Sequence, residues 1–290
     1  MSAQQGPSRR ALCQGCARTW CFLLAGGLWL SQTAQATDAI DTTGAAVLEL
    51  KLQFARQVDR RLTLPLSDQG RYIGMARQAL DQAGVTDLSA QTFLVVDRSP
   101  KVQAAFLLLR TEGAAWHWVG ATSASTGRPG SFDHFITPAG VFLHSPTNPD
   151  YRATGTYNKN HIRGYGVRGM RVFDFGWQLA QRGWGKGGSS PMRLAMHATD
   201  PERLEARLGS IASEGCIRIP ASLNHFLDHY GVLDADYEAA LAEGKALRVL
   251  PPDRQPVPWP GRYLIVIDSE ALTRPFWAPA PGDLKPAPQP

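Results

Sequence analysis

The apolar positions change their period along the chain. Leu48, Leu52, Ala55, Val58 and Leu62 fall at spacings of 4, 3, 3 and 4, one face of a helix. Ile73, Ala76, Leu80 and Ala83 repeat that pattern, and Gly84 supplies a C-terminal stop. The spacing predicts a helical segment over 37–91, folded as a hairpin against the remainder of the chain. From residue 93 the signal turns to short apolar runs separated by turn residues. Phe93–Val96, Ala104–Leu109 and Trp116–Val119 read as strands, parted by Arg98-Ser99-Pro100-Lys101 and Thr111-Glu112-Gly113. A loop at Gly127, Pro129 and Gly130 precedes Thr137-Pro138-Ala139-Gly140-Val141-Phe142, a turn entering another strand.

Residues 146–190 are rich in glycine, arginine and aromatics, which argues against a regular helix. Their Trp and Tyr side chains either form a lid over a substrate or pack a surface excursion onto the sheet. Asp200-Pro201 reads as an N-cap and first helical position, with Gly209 ending a short helix. Leu223, Phe226, Leu227 and Tyr230 define a second helical face that stops at Gly231. Ala246–Leu250 reads as the closing strand of a domain over 92–250. Eleven of the 21 prolines lie in 251–290, a Pro-rich extension. Within it Tyr263–Ile267 reads as one added strand, and 278–290 as extended or disordered. The class is α+β, mainly β, with flanking helices.

Two facts of composition alter this picture. Arg9, Arg10 and Arg18, the apolar stretch Trp20–Leu30 and Ala34-Gln35-Ala36 form the three parts of a secretory signal peptide over residues 1–36. Ser8-Arg9-Arg10-Ala11-Leu12 weakly suggests a twin-arginine version. Cleavage would place the mature chain in the periplasm or at the cell wall. It would also lower the net charge from +5 to +2, leaving 27 basic and 25 acidic residues. No long basic block remains, so nucleic acid is not an expected partner. Three of the four cysteines, Cys13, Cys16 and Cys21, would leave with the leader. Cys216 would then enter an oxidising space with no intramolecular partner, either buried and inert or exposed and used.

The stretch that can carry chemistry is His197-Ala198-Thr199-Asp200, Leu208-Gly209 and Ser213-Glu214-Gly215-Cys216-Ile217-Arg218. A thiol attacks as the thiolate, so it needs a base or a cation beside it. Gly215 lets the backbone turn tightly and expose N–H groups that suit an oxyanion. His225 and His229, four apart on a helix, have metal-ligand spacing but lie off its apolar face and lack the accompanying Glu of zinc proteases. Ser125-Thr126-Gly127-Arg128 lacks the Lys and glycines of a phosphate loop. No metal or organic cofactor is expected.

Taken in order, these elements resemble the L,D-transpeptidase (YkuD-type) catalytic domain. Phe93–Asp97 is similar to its opening strand, Ser125-Thr126-Gly127 to its Ser-Thr-Gly and Thr137–Phe142 to its Thr-Pro-x-Gly-x-Phe. His197-Ala198-Thr199, Leu208-Gly209 and Ser213–Arg218 match its His-Gly/Ser-Thr, Leu-Gly and Ser-His-Gly-Cys motifs. The resemblance spans roughly 92–250 and implies a β-sandwich-like mixed sheet. It implies a cell-wall enzyme acting on peptidoglycan stem peptides, with Cys216 attacking the diaminopimelate carbonyl of a tetrapeptide. D-alanine would leave, and a second stem peptide or a wall-linked protein amine would resolve the thioester as a 3→3 crosslink or an attachment. His197 would be base then acid, oriented by the Ala198 carbonyl, and Gly215 and Cys216 N–H groups would hold the oxyanion. Ser213 and Arg218 would position substrate, although a structural ion pair is an equal reading of Arg218.

Two positions depart from the family. Ala198 stands where Gly or Ser is usual, and Glu214 where the motif has His. A carboxylate sharing a face with the thiol raises its pKa by like-charge repulsion. Alternatively Glu214 pairs with an arginine or binds the acceptor's amine. Two rival functions use the same groove: a hydrolase, either an L,D-carboxypeptidase or an enzyme releasing a wall-linked protein, and an inactive peptidoglycan-binding module.

Overall fold

The computed structural model of the chain describes residues 29–86, 88–278 and 280–281, with side chains from residue 42 onward. Most of the expected leader and most of the 278–290 tail lie outside the described residues. The chain divides into two compact units, Met1–Thr42 and Thr43–Pro290. Helix α1 (Trp29–Gln57) begins in the first and α2 (Leu66–Gln82) lies in the second.

Two mixed sheets form the body of the second unit, giving the α+β class. The first holds β1 (Gln91–Asp97), β2 (Ala104–Arg110), β3 (Trp116–Ser123), β4 (Gly140–Leu143) and β9 (Tyr263–Ile267), in the order β3-β2-β1-β9-β4. The second holds β5 (Tyr151–Arg152), β6 (Arg171–Gln181), β7 (Ser189–Ala198) and β8 (Ile217–Ile219), in the order β5-β6-β7-β8. Two pairings are parallel, β1 with β9 and β7 with β8. Helices α3 (Ala221–His229) and α4 (Ala235–Ala242) complete the described helices. One core gathers Leu94, Val96 and Leu107 of the first sheet with Phe173, Leu194, Met196 and Ile217 of the second. A second core gathers Phe93, Val95, Phe106 and Leu108 from the opposite face of the first sheet. Burial on both faces explains why β1 and β2 read as continuous apolar runs.

Several sequence expectations change here. The helices are not a hairpin: Val47, Leu50 and Phe54 of α1 join the inter-sheet core, while Tyr72, Ala76 and Leu80 of α2 cover the opposite face. The buried stripe of α1 is also not the expected one, since Leu48 and Leu52 are exposed. The competing face wins because it carries Phe54, whose ring meets Phe226 edge-on at 5.5 Å. Residues 246–250 form a turn rather than a strand. The closing strand is β9, a central strand drawn from beyond residue 250, and α4 was not anticipated. Gly84 (φ 67°) and Gly231 (φ 55°) end their helices as expected.

The second sheet is tied to α3 and α4 by buried charges. Arg171 is fully buried and reaches Asp150 at 2.6 Å and Asp234 at 2.8 Å. Arg152 pairs with Asp228, which also lies 3.4 Å from Arg171. His144 joins from the other side: Nδ1 faces the Leu233 carbonyl at 2.8 Å and Nε2 faces Asp150 at 2.9 Å. Both nitrogens face acceptors, so both donate and the ring is an imidazolium. Burial alone would lower its pKa, but the charge and hydrogen bond of Asp150 outweigh that and raise it, with Asp234 adding to the rise and Arg171 opposing it.

This buried network makes two demands on stability. Arg171→Met leaves Asp150 and Asp234 without their common cation and is expected to cost about 3–5 kcal/mol in denaturant unfolding; a loss under ~1 kcal/mol would mean the network carries little. Because the folded pKa of His144 is raised, its contribution is fully present below the unfolded value near ~6.5 and is lost as pH rises through the folded value. His144→Gln should remove that component from a stability-versus-pH curve; an unchanged slope above neutrality would contradict it.

Candidate functional site

Strand β7 builds the site by alternation. Met192, Leu194 and Met196 point into the inter-sheet core, so Pro191, Arg193, Ala195 and His197 share the other face. The parallel register places Met196 opposite Ile217 and His197 opposite Arg218. Cys216, two residues before Arg218, therefore projects from the same face as His197. His197 and Cys216 both line a cleft of about 370 Å³, together with Asn158, Tyr165, Arg207 and Glu214. Cys216 is partly exposed and is a free thiol among the described residues.

The cysteine loop is held from below. Ser213 Oγ donates to the Cys216 carbonyl at 2.5 Å and accepts the Gly215 N–H at 3.2 Å. Thr137 Oγ1 accepts the Gly127 N–H at 2.9 Å and donates to the Gly215 carbonyl at 2.7 Å. The Ser-Thr-Gly and Thr-Pro elements are thus braces of this loop. Gly127 must be glycine because a Cβ there would lie 1.9 Å from the Phe135 carbonyl oxygen. Gly215 has φ 136°, with Met192 Cε 2.9 Å from where a Cβ would sit.

The imidazole is fixed and dry. His197 Nδ1 lies 2.7 Å from the Ala198 carbonyl, so Nδ1 carries the proton and Nε2 is left as an acceptor. His197 is 3% exposed, and Tyr165 meets its ring edge-on at 4.7 Å. Burial pushes its pKa down to about 4; the Ala198 hydrogen bond opposes this and Arg218 adds to it. Burial pushes the Cys216 thiol up. A backbone hydrogen bond from Ala195 and the charge of Arg218 pull it back, and Glu214 and Asp174 push it further up. Thiol and imidazole are therefore both neutral near neutrality, and no hydrogen bond joins them among the described residues.

The expected site residues separate by role. His197, Ala198 and Cys216 come together with the imidazole turned onto the Ala198 carbonyl. Arg218 reaches the Ala212 carbonyl through Nη1 at 2.9 Å, and its buried Nε has no partner among the described residues. Gly215 does not aim its N–H at the cleft, because Ser213 Oγ already accepts it. Ser213, expected to touch substrate, borders the cleft but is 1% exposed, with its Oγ used inside its own loop. Asp200 caps the turn that follows it, as expected: Oδ1 accepts from the Glu202 and Arg203 N–H groups, and Oδ2 accepts from the Arg163 N–H. The helix it was expected to cap is reduced to a 3-10 turn, Glu205–Arg207. Tyr165, Arg207, Asn158 and Asp174 escaped the sequence reading. Tyr165 lies in the glycine-rich 146–190 region, which thus supplies a cover for His197 as well as the core strand β6. The rings of His225 and His229 stack at 5.8 Å, and no cluster of three or more His, Cys, Asp or Glu suited to a metal occurs among the described residues. No helix among the described residues is long and apolar enough to cross a membrane.

No protein-family model matches the chain, and no curated protein matches it in sequence. Among solved structures it is distantly similar to the helical cell shape determining protein Pgp2 from Campylobacter jejuni. The identity is 13% and the TM-score 0.28, over 70% of this chain and 58% of that one. The chain thus spans less than two thirds of that protein's length.

A neutral pair has a readable signature. Alkylation of Cys216 by iodoacetamide should accelerate with pH through an ionisation above the ordinary thiol range. Glu214→Gln should move that ionisation down, because a like charge is removed. A rate already on its plateau at pH 6 would mean a thiolate–imidazolium pair instead.

Proposed function

We propose that the protein is a cysteine acyltransferase of the cell wall, exported and freed of its leader, acting on peptidoglycan stem peptides. The observation that carries this reading is the oriented pair. An imidazole locked by its Nδ1–H onto the Ala198 carbonyl leaves Nε2 free on the same sheet face, and in the same cleft, as the chain's one thiol beyond residue 36. The order of the motifs between Phe93 and Arg218 supplies the substrate class.

The resting thiol is protonated, so attack needs a base in the same step. Nε2 of His197 takes the thiol proton as sulfur adds to the donor's amide carbonyl. The Cys216 N–H is the donor left to the oxyanion, since that of Gly215 is engaged. The imidazolium then returns the proton to the departing D-alanine nitrogen, leaving a thioester on Cys216. A low imidazole pKa makes that return strongly favourable. Arg218 offers a nearby positive charge to the developing thiolate. Tyr165 keeps water from the ring.

Intact-protein mass spectrometry with a stem tetrapeptide is expected to show an adduct equal to the donor less D-alanine, absent in Cys216→Ser. His197→Gln should slow its formation by about 10²–10⁴. Dimeric product identifies transfer and a tripeptide monomer identifies hydrolysis. No adduct with the tetrapeptide and none with a carbapenem would remove the catalytic reading and leave a binding module.

A further inference from the structure

Two charged side chains in the cleft are held by no hydrogen bond or ion pair among the described residues, although both act by charge on Arg218 beside them. Glu214 and Arg207 both line it beside Cys216. Both are exposed residues. Among the described residues neither side chain makes a hydrogen bond or an ion pair, although both backbone carbonyls are used. The Glu214 carbonyl accepts from Phe135 N–H at 2.9 Å, and the Arg207 carbonyl accepts from Ser210 Oγ at 2.8 Å. Arg218 is different: it is fixed to the Ala212 carbonyl and sits in register with His197. The cleft thus presents a carboxylate and a guanidinium, each without a hydrogen-bonded partner among the described residues, beside the nucleophile. Two such groups that do not neutralise each other offer separate contacts to a ligand that carries both charges.

We propose that Glu214 and Arg207 form a subsite for an α-amino acid group, with Glu214 receiving the amine and Arg207 the carboxylate. This rests on the acyltransfer reading for its catalytic meaning, and it selects an amine over water as the second substrate. The acceptor enters as a zwitterion and loses one ammonium proton to solvent. The resulting amine, held by Glu214, attacks the thioester carbon. One N–H proton passes to His197 Nε2 and on to sulfur as the C–S bond breaks. The products are an amide and the free thiol, so atoms and charge balance without any other reactant. Glu214 raises the thiol pKa and thus opposes the first step. Its place in the cleft is accounted for by the second step.

The test uses the full mature chain and two readouts. In the first, Cys216 alkylation by iodoacetamide is followed with saturating alanine of either hand, alaninamide or N-acetylalanine. Alanine is expected to protect, and alaninamide and N-acetylalanine to protect at least about tenfold less well. Glu214→Gln or Arg207→Gln should abolish the difference. Equal protection by all three compounds, or full selectivity in both variants, would overturn the subsite. In the second, the ratio of amine transfer to hydrolysis is measured with a stem tetrapeptide donor. Glu214→Gln is expected to lower this ratio about tenfold while acyl-enzyme forms at least as fast as in the unaltered chain. An unchanged ratio with normal acylation would sink the subsite and keep the acyltransferase. Selective protection without any acyl-enzyme would keep the subsite and sink the acyltransferase.

Discussion

The parallel pairing of β7 with β8 is the constraint on which the site depends. It fixes His197 opposite Arg218 and so carries Cys216 onto the imidazole's face. A slip of one residue would turn the thiol into the inter-sheet core, where Met196 and Ile217 now meet. The register is secured from both sides. Alternate β7 residues are anchored in that core, and the β8 end is clamped by reciprocal backbone bonds between Ser125 and Arg218 at 2.9 and 2.8 Å. The buried cluster around Arg171 fastens the adjacent strand β6 to α3 and α4, and Val172 of β6 is the partner of His197.

That rigidity explains the chemistry of the pair. A dry imidazole with one nitrogen committed to a backbone carbonyl is a weak base at rest, and a thiol pushed up by burial is a weak nucleophile. Neither is armed in the resting protein. The resting thiol is thereby far less open to oxidation than a thiolate would be. The same electrostatics give Glu214 an ambivalent place: it hinders the thiolate, yet it is the cleft's anion.

Much of the sheet structure was legible in the sequence, because β1, β2 and β3 are apolar runs bounded by turn residues. The α+β class followed from the change in period. The α1 face was misread because two apolar stripes compete there and only contact with Phe226 decides between them. Strand β9 was underweighted because it sits among prolines, though its position between β1 and β4 makes it central. At the site, motif order pointed to His197, Ala198 and Cys216. It was silent on Tyr165, Arg207 and Asp174, since their places depend on a loop's path and on strand register, neither of which has a local signal. Gly215 and Ser213 were assigned to substrate because their mutual hydrogen bond is invisible without the loop's conformation.

The most direct test is nitrogen-15 NMR of the His197 ring in the resting protein, titrated from pH 8 down to pH 3. A neutral ring protonated at Nδ1 is predicted, gaining its second proton only near pH 4. The spectrum near neutrality should be the same in Cys216→Ser. An imidazolium at pH 7 that becomes neutral when the thiol is removed would contradict this, and would put a preformed ion pair where a neutral thiol and an oriented base are expected.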